Sequence, residues 1–330
     1  MVRFKKKSLM KGEVGSSIAI NPKMGETLAL VSIPIYDPKN SMLNRFTQVV
    51  VPGSVFKAIT GKICLEKNVI NPKEEFRIEG LKYTKDASWG NYYVIRVHEA
   101  SLIDFDRAIK YSDNIYFSQQ ALKIGKDRYI SEAKKFGFSE KLPIEYEFRV
   151  SKLMNKDIKD DIQLVDTGYG QGEVVMTPLH VLLAYALIVN DGNIPSLIKD
   201  HNQAKPWKEN VISKGTQEIL KSALKNVIND ADGIGSKAKI DGITLGGKTG
   251  TAELKKTKGE NGKELGWFMG FNLNSPNMIV TMMIEDVQGR GGSSITAQKV
   301  KNIFHKSIKR QLYISTIVVL LNLKDFKMTV

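Results

Sequence analysis

The stretch Gly242-Ile-Thr-Leu-Gly-Gly247-Lys248-Thr249-Gly250-Thr251-Ala252-Glu253 admits two readings that lead to different folds. As GITLGGKT (Gly242–Thr249) it satisfies the phosphate-loop pattern G-x-x-x-x-G-K-[ST]. Such a loop needs a buried strand before it and a helix opening at the Lys-Thr. Downstream, Met278–Asp286 (MIVTMMIED) has the form of an apolar strand ending in acids, as a magnesium-binding strand would. The immediate surroundings fit poorly. Ser236–Asp241 (SKAKID) is a weak central strand, and Gly250 and Thr251 are poor residues for a first helical turn. A further 81 residues follow Thr249, few for completing a nucleotide fold.

The other reading takes Lys248-Thr249-Gly250 as the last of three elements. The first is S-x-x-K, a weak pattern that starts at Ser8, Ser54, Ser131, Ser196, Ser222 and Ser236. Ser54 alone follows a Pro-Gly turn (Pro52-Gly53) and precedes a run with apolar Val55, Phe56, Ile59, Ile63 and Cys64, the pattern of a largely buried helix. The second is S-x-N, present as Ser112-Asp113-Asn114 and Ser275-Pro276-Asn277; the first lies between Ser54 and Lys248. K-T-G occurs once. The order S-x-x-K, S-x-N, K-T-G is a specific signature of serine acyl transfer.

The chemistry accounts for the residue types. Positions i and i+3 share a helix face, so Lys57 can reach the Ser54 hydroxyl. A serine hydroxyl is a weak nucleophile without an adjacent base. Neutral lysine serves if burial, a helix N-terminus and a second cation at Lys248 lower its pKa. Ser112 can relay the proton to a leaving amine, and Asn114 can hold a substrate amide and orient Lys57. Lys248 and Thr249 suit a substrate carboxylate, Gly250 leaves room for the substrate backbone, and the amides of Ser54 and Thr251 are the expected oxyanion hole.

Composition narrows the remaining classes. The 330 residues are 42% hydrophobic and 25% charged, which fits a globular chain and neither wholesale disorder nor a polytopic membrane protein. The formal charge of +14 is spread along the chain, with one dense run at Lys5-Lys6-Lys7. Zinc-finger spacing, RNP-like aromatics and a basic-region helix are all missing, so a solvated basic surface is expected and no nucleic-acid partner. Cys64 is the single cysteine, and His98, His180, His201 and His305 lie far apart, so no disulfide, metal or cofactor is expected. Cys64 reads as a small core residue. Met1–Lys11 resembles the positive region of a signal peptide but lacks an apolar stretch behind it. Leu312–Leu323 (LYISTIVVLLNL) is apolar over 12 residues, short of the about 20 that span a bilayer.

Strands are expected at Ser17–Asn21 and Thr27–Ile33 around a turn, and again at Thr244-Leu245, Gly266–Phe271 and Met278–Ile284. Helices are expected from Ser54 to Glu66, from an Asp104 cap through Lys110, and over Ile115–Ile124, Pro178–Val189, Thr216–Val227 and Thr296–Lys309. Asn68–Val97 is turn-rich and aromatic without clear periodicity. Trp267 and Phe268 read as sheet core, Tyr169 and Gln171 as cleft or packing residues, and Glu253 as lying just past a strand. Strands at both ends with helices between them imply an α/β sandwich whose sheet joins distant parts of the chain.

At its three motifs the chain resembles the transpeptidase domain of penicillin-binding proteins. The resemblance extends to NRFTQVVVPGSVFKAIT (Asn44–Thr60), SDNIYF (Ser112–Phe117), DTGYGQGEVVMTPLHVLLAYALIVNDGNIP (Asp166–Pro195), GGKTGTAE (Gly246–Glu253) and GWFMGF (Gly266–Phe271). KDASWGNYYVIRV (Lys85–Val97) is similar to the class B, methicillin-resistance-type proteins of Gram-positive bacteria. The family implies an α/β (α+β) fold, a five-stranded antiparallel sheet flanked by helices with an all-helical subdomain. It also implies a domain over residues 15–309, leaving an N-terminal remnant (1–14) and an atypical apolar tail (310–330). By the same resemblance, Ser54 forms an acyl-enzyme with the D-Ala-D-Ala end of a peptidoglycan stem peptide and an acceptor amine resolves it. β-Lactam antibiotics imitate the donor. The setting is the outer face of the cell membrane, with other cell-wall synthesis proteins as possible partners, although the usual membrane anchor and preceding non-catalytic domain are missing from the sequence. Two alternatives share the nucleophile: a hydrolase (a serine β-lactamase or a D,D-carboxypeptidase) and a non-turnover penicillin sensor. Lysine-activated β-lactamases place a bulky apolar residue where Asn114 stands, and a sensor needs a transmembrane segment.

Overall fold

The structure is a computed structural model, and it describes residues 10–34, 44–197, 205–254 and 262–308. The S-x-x-K at Ser8, most of the basic start and the apolar Leu312–Leu323 stretch lie outside these residues.

Two hydrophobic runs near the N-terminus form a hairpin, β1 (Gly15–Asn21) and β2 (Glu26–Ile33), around the turn expected at Asn21–Glu26. Three strands from the last third complete an antiparallel sheet: β3 (Leu245–Leu254), β4 (Lys263–Asn272) and β5 (Ile279–Glu285). Their spatial order is β2-β1-β5-β4-β3. The first strand therefore pairs with the last, Ile18 opposite Thr281, and β4 bridges β5 and β3, with Gly266 opposite Ile284 and Phe268 opposite Thr249. β3 lies at the sheet's edge. Near-continuous burial of β1, β4 and β5 means that both faces of the sheet are covered. Trp267 and Phe268 are fully buried, as expected of sheet core. Glu253 lies within β3 rather than past it.

The phosphate-loop reading of Gly242–Thr249 is overturned here. Lys248 and Thr249 sit in the middle of an extended strand, and no helix opens at them. Four of the first six residues of β3 are glycine or threonine, so its conformation owes less to propensity than to its full-length pairing with β4.

Between the hairpin and β3 the chain is helix-rich. A 3-10 turn, Gly53–Phe56, runs into α1 (Lys57–Glu66). Then come α2 (Phe105–Lys110), α3 (Asn114–Ile124), α4 (Lys126–Lys134), α5 (Asp161–Gly168), α6 (Pro178–Ala186) and α7 (Lys214–Asn229). Residues 293–308 form the closing helix. Side-chain caps start α2, α3, α5, α6 and α7: Asp104, Asp113, Asp160, Thr177 and Ser213 each accept from the backbone amide three residues on. The helical part is not purely helical, because three short ribbons interrupt it: Phe76–Arg77 with Leu102–Ile103, Lys82–Tyr83 with Val94–Ile95, and Ile194–Pro195 with Pro206–Lys208. The first two occupy the aromatic stretch that shows no period in the sequence. Strands of two residues are too short to register as alternation.

Candidate active site

Ser54 and Lys57 lie on one turn, and the geometry is tighter than an α-helix gives. Gly53–Phe56 is a 3-10 helix, in which i and i+3 eclipse. Lys57 Nζ stands 2.8 Å from Ser54 Oγ. The turn rests against the edge strand β3. A Cβ on Gly53, whose φ is +56°, would lie 2.6 Å from the Thr251 carbonyl oxygen, and one on Gly250 would lie 3.0 to 3.2 Å from Val55 and Trp267 atoms. Glycine on both sides thus lets turn and strand meet backbone to backbone. From the other side, Gly53 N–H donates to the Gly170 carbonyl at 2.9 Å.

Ser112-Asp113-Asn114 arrives from the turn between α2 and α3. Ser112 has φ +57°, a conformation uncommon for a non-glycine residue. In it, Ser112 presents both its carbonyl oxygen (2.7 Å) and its hydroxyl (2.9 Å) to Lys57 Nζ. Asn114 Oδ1 lies 2.6 Å from the same nitrogen, while its Nδ2 donates to the Ile95 carbonyl at 2.7 Å, which fixes the direction of the amide. Lys248 reaches in from β3 and donates to Ser112 Oγ at 2.9 Å and to the Thr249 carbonyl at 3.1 Å. Ser54, Lys57, Ser112, Asn114 and Lys248 therefore form one connected network. Thr249, Gly250 and Thr251 continue along the edge strand beside the Ser54 turn.

Lys57 and Lys248 are fully buried. Burial lowers the Lys57 pKa well below that of a free lysine. The Lys248 charge lowers it further, and the Asp113 carboxylate opposes both. Burial also brings Lys248 down to about 7. The hydrogen-bond inventory agrees with a neutral Lys57. Four oxygens surround Nζ, and two of them, the Ser112 carbonyl and Asn114 Oδ1, can only accept. A neutral amine has two N–H groups for those two and one lone pair that can accept a hydroxyl proton. An ammonium has three donors and no lone pair, so it cannot accept one. The arrangement can take a proton from Ser54 and, through Ser112 and Lys248, hold or return one.

Arg96 and Tyr92 were not singled out from the sequence. Arg96 is buried and pairs with Asp113 at 3.0 Å. Tyr92 and Tyr169 hydroxyls both donate to Asp166 Oδ1. Cys64 is a buried free thiol whose pKa burial raises, in line with its reading as a core residue. Among the described residues, no group of three or more His, Cys, Asp or Glu side chains is placed to hold a metal ion.

With this geometry in place, the comparisons with known proteins fall into line. The family description "Penicillin binding protein transpeptidase domain" matches residues 15–305. Penicillin-binding protein 3 of Bacillus subtilis is 39% identical over 322 residues, covering 90% of this chain and 48% of the relative. Stage V sporulation protein D of the same organism is 28% identical, covering 88% and 48%. The peptidoglycan D,D-transpeptidase MrdA of Haemophilus influenzae is 27% identical, covering 92% and 54%. The chain thus spans about half the length of these curated relatives. The transpeptidase domain of Burkholderia pseudomallei penicillin-binding protein 3 shares the fold, with a TM-score of 0.81, 20% identity and 93% coverage of each chain. By the extent of the family match and the identity to its relatives, this chain belongs to the penicillin-binding protein transpeptidase domain family.

Proposed function

We propose that the protein is a serine D,D-transpeptidase, cross-linking peptidoglycan stem peptides through an acyl-Ser54 enzyme and binding penicillin covalently at the same serine. The observation that carries this reading is the fully buried Lys57 amine, 2.8 Å from Ser54 Oγ and also within hydrogen-bond distance of the Ser112 carbonyl and Asn114 Oδ1. The curated relative from H. influenzae is named for the same reaction.

Lys57 takes the Ser54 proton as Oγ attacks the carbonyl carbon of the penultimate D-Ala. The tetrahedral oxyanion is held by the amides of Ser54 and Thr251. The C–N bond to the terminal D-Ala breaks, and that amine leaves with a proton delivered from Lys57 through Ser112. Lys248, Thr249 and Gly250 receive the terminal carboxylate and backbone of the donor. Asn114 orients Lys57 and the substrate amide. An acceptor amine then attacks the Ser54 ester and gives up a proton to the same relay. The new amide forms and Ser54 regains its hydrogen. A β-lactam acylates Ser54 equally, but its leaving amine stays tethered.

By this reading the catalytic unit is the segment from about residue 15 to 309, and it works at the outer face of the cell membrane on stem peptides, alongside other cell-wall synthesis proteins. Among the described residues, no helix is long and apolar enough to cross a membrane.

The test is a donor peptide ending in D-Ala-D-Ala, supplied with and without an amine acceptor. A new donor–acceptor amide supports transpeptidation. Release of D-Ala with hydrolysed donor alone moves the assignment to a carboxypeptidase. Rapid turnover of penicillin moves it to a β-lactamase, and a lasting penicillin adduct with no peptide turnover moves it to a sensor.

A further inference from the structure

We propose that Arg96 is a positioning residue for the Ser54–Lys57 site, holding Ser112 and Asn114 against Lys57 through the buried Asp113 carboxylate. The inference rests on the reading that Lys57 activates Ser54, and it assigns a role to the aromatic stretch before α2.

Arg96 is 1% exposed and directs its guanidinium at four oxygens. Nε donates to the Gly80 carbonyl at 2.8 Å and Nη2 to the Ile78 carbonyl at 2.9 Å. Nη1 donates to the Ala100 carbonyl and to Asp113 Oδ2, both at 3.0 Å. The other Asp113 oxygen accepts from the Tyr116 amide at 2.9 Å and so starts α3. Next to Arg96, the Ile95 carbonyl takes the Asn114 amide. Ile95, the last residue of a short strand, and Arg96, just past it, therefore grip the two adjacent residues that follow Ser112. The strand itself is two residues long and pairs with an equally short partner, too little to be rigid alone. Arg96 supplies the missing ties by joining residues 78, 80, 100 and 113 at one planar group. The reward is geometric: Ser112 is kept at φ +57°, with two oxygens on Lys57.

The clamp is also electrostatic. The charged groups bearing on Lys57 are Lys248 from β3, which favours the neutral amine, and Asp113 from the start of α3, which favours the ammonium. On α1 itself, Lys62 is turned away, donating to the Ala184 carbonyl of α6. Arg96, 3.0 Å from Asp113, offsets the carboxylate that opposes Lys57 neutrality. Positioning and charge balance thus meet in one pair.

The experiment is the pH profile of covalent labelling by a fluorescent penicillin, per folded molecule, for wild type, Arg96→Gln, Asp113→Asn and the double variant. Asp113→Asn retains an N-cap for α3, so it remains informative if Arg96→Gln folds poorly. In Arg96→Gln, an unbalanced Asp113 favours the Lys57 ammonium. The acid limb then moves to higher pH, with labelling on that limb falling about tenfold relative to the plateau, one pH unit being tenfold. In Asp113→Asn the limb moves to lower pH, and the double variant follows Asp113→Asn. Opposite shifts are a signature that simple loss of structure does not produce. Acid limbs that coincide in all four proteins, or that shift in the same direction, overturn the proposal. A wild type that takes no label overturns instead the underlying reading of Ser54 and Lys57.

Discussion

Replacing Lys248 by glutamine tests the electrostatic coupling at the centre of the site. Lys57 and Lys248 both hydrogen-bond Ser112 Oγ at 2.9 Å, so twice that distance, about 5.8 Å, is the most that can separate the two nitrogens. At an effective dielectric constant of about 20, two unit charges at that separation repel by about 3 kcal/mol, which is about two pKa units. Lys248 itself titrates at about 7, so its charge is present throughout the acid range below that. The sign follows from the direction of the shift. Lys57 is held below its ordinary value, and the neutral form that accepts the Ser54 proton exists above its folded-state pKa. Removing the Lys248 charge removes one cause of the lowering, so the Lys57 pKa rises and the acid limb of acylation moves to higher pH by about two units. Glutamine keeps a donor for Ser112, which limits the structural change. The assay is the second-order rate of labelling by a fluorescent penicillin from pH 5 to 10. An acid limb that stays in place, or moves to lower pH, while the protein remains folded refutes the coupling.

Further expectations follow from packing. Gly170→Ala is strongly destabilising, because φ is +86° and the added Cβ would lie 2.0 Å from the Gly53 carbonyl oxygen. The left-handed conformation alone costs about 1–2 kcal/mol, and relief of the clash must displace the Ser54 turn. A melting temperature lowered by several degrees with slower acylation is expected in thermal-shift and labelling assays, and an unchanged pair of values contradicts the packing. Asp104→Ala removes the acceptor that caps α2 through the Arg107 amide; a stability loss of about 1 kcal/mol is expected, read from denaturant unfolding. Cys64 resists alkylation at pH 8 in the folded protein and reacts once it is unfolded, as intact mass will show, because burial raises its pKa and encloses the sulfur.

The sequence made the proposed reacting groups legible because their spacing is local. Ser54 and Lys57 are three residues apart, Ser112 and Asn114 two, and each pair lies at a turn-to-helix junction that Pro52-Gly53 or an Asp cap announces. The S-x-x-K at Ser54 stood out from five others because only there did a turn precede an apolar helical pattern. The strand at Lys248 was legible through its motif and not through propensity, since glycine and threonine dominate it and β4 imposes its conformation. Strand order was beyond the pattern: nothing in Ser17–Asn21 says that it pairs with Ile279–Glu285, because that contact is set by packing across more than 250 residues of chain. The clamp around Ser112 was hidden for a related reason. Arg96 lies just past a two-residue strand in a stretch without periodicity, and its partners Ile78, Gly80 and Ala100 act through backbone carbonyls, which leave no mark on residue type. Asp113 was visible as the middle of S-D-N, yet its double duty as helix cap and ion-pair partner appears only in three dimensions.

The central claim is that Ser54 is the nucleophile of an acyl-transfer site. Its most direct test is intact-mass measurement of the purified protein incubated with benzylpenicillin, with Ser54→Ala beside it. The account predicts one added penicillin per wild-type molecule, mapped to the peptide containing Ser54, and none on the folded variant. An adduct of equal stoichiometry on Ser54→Ala, or none on folded wild type, contradicts it.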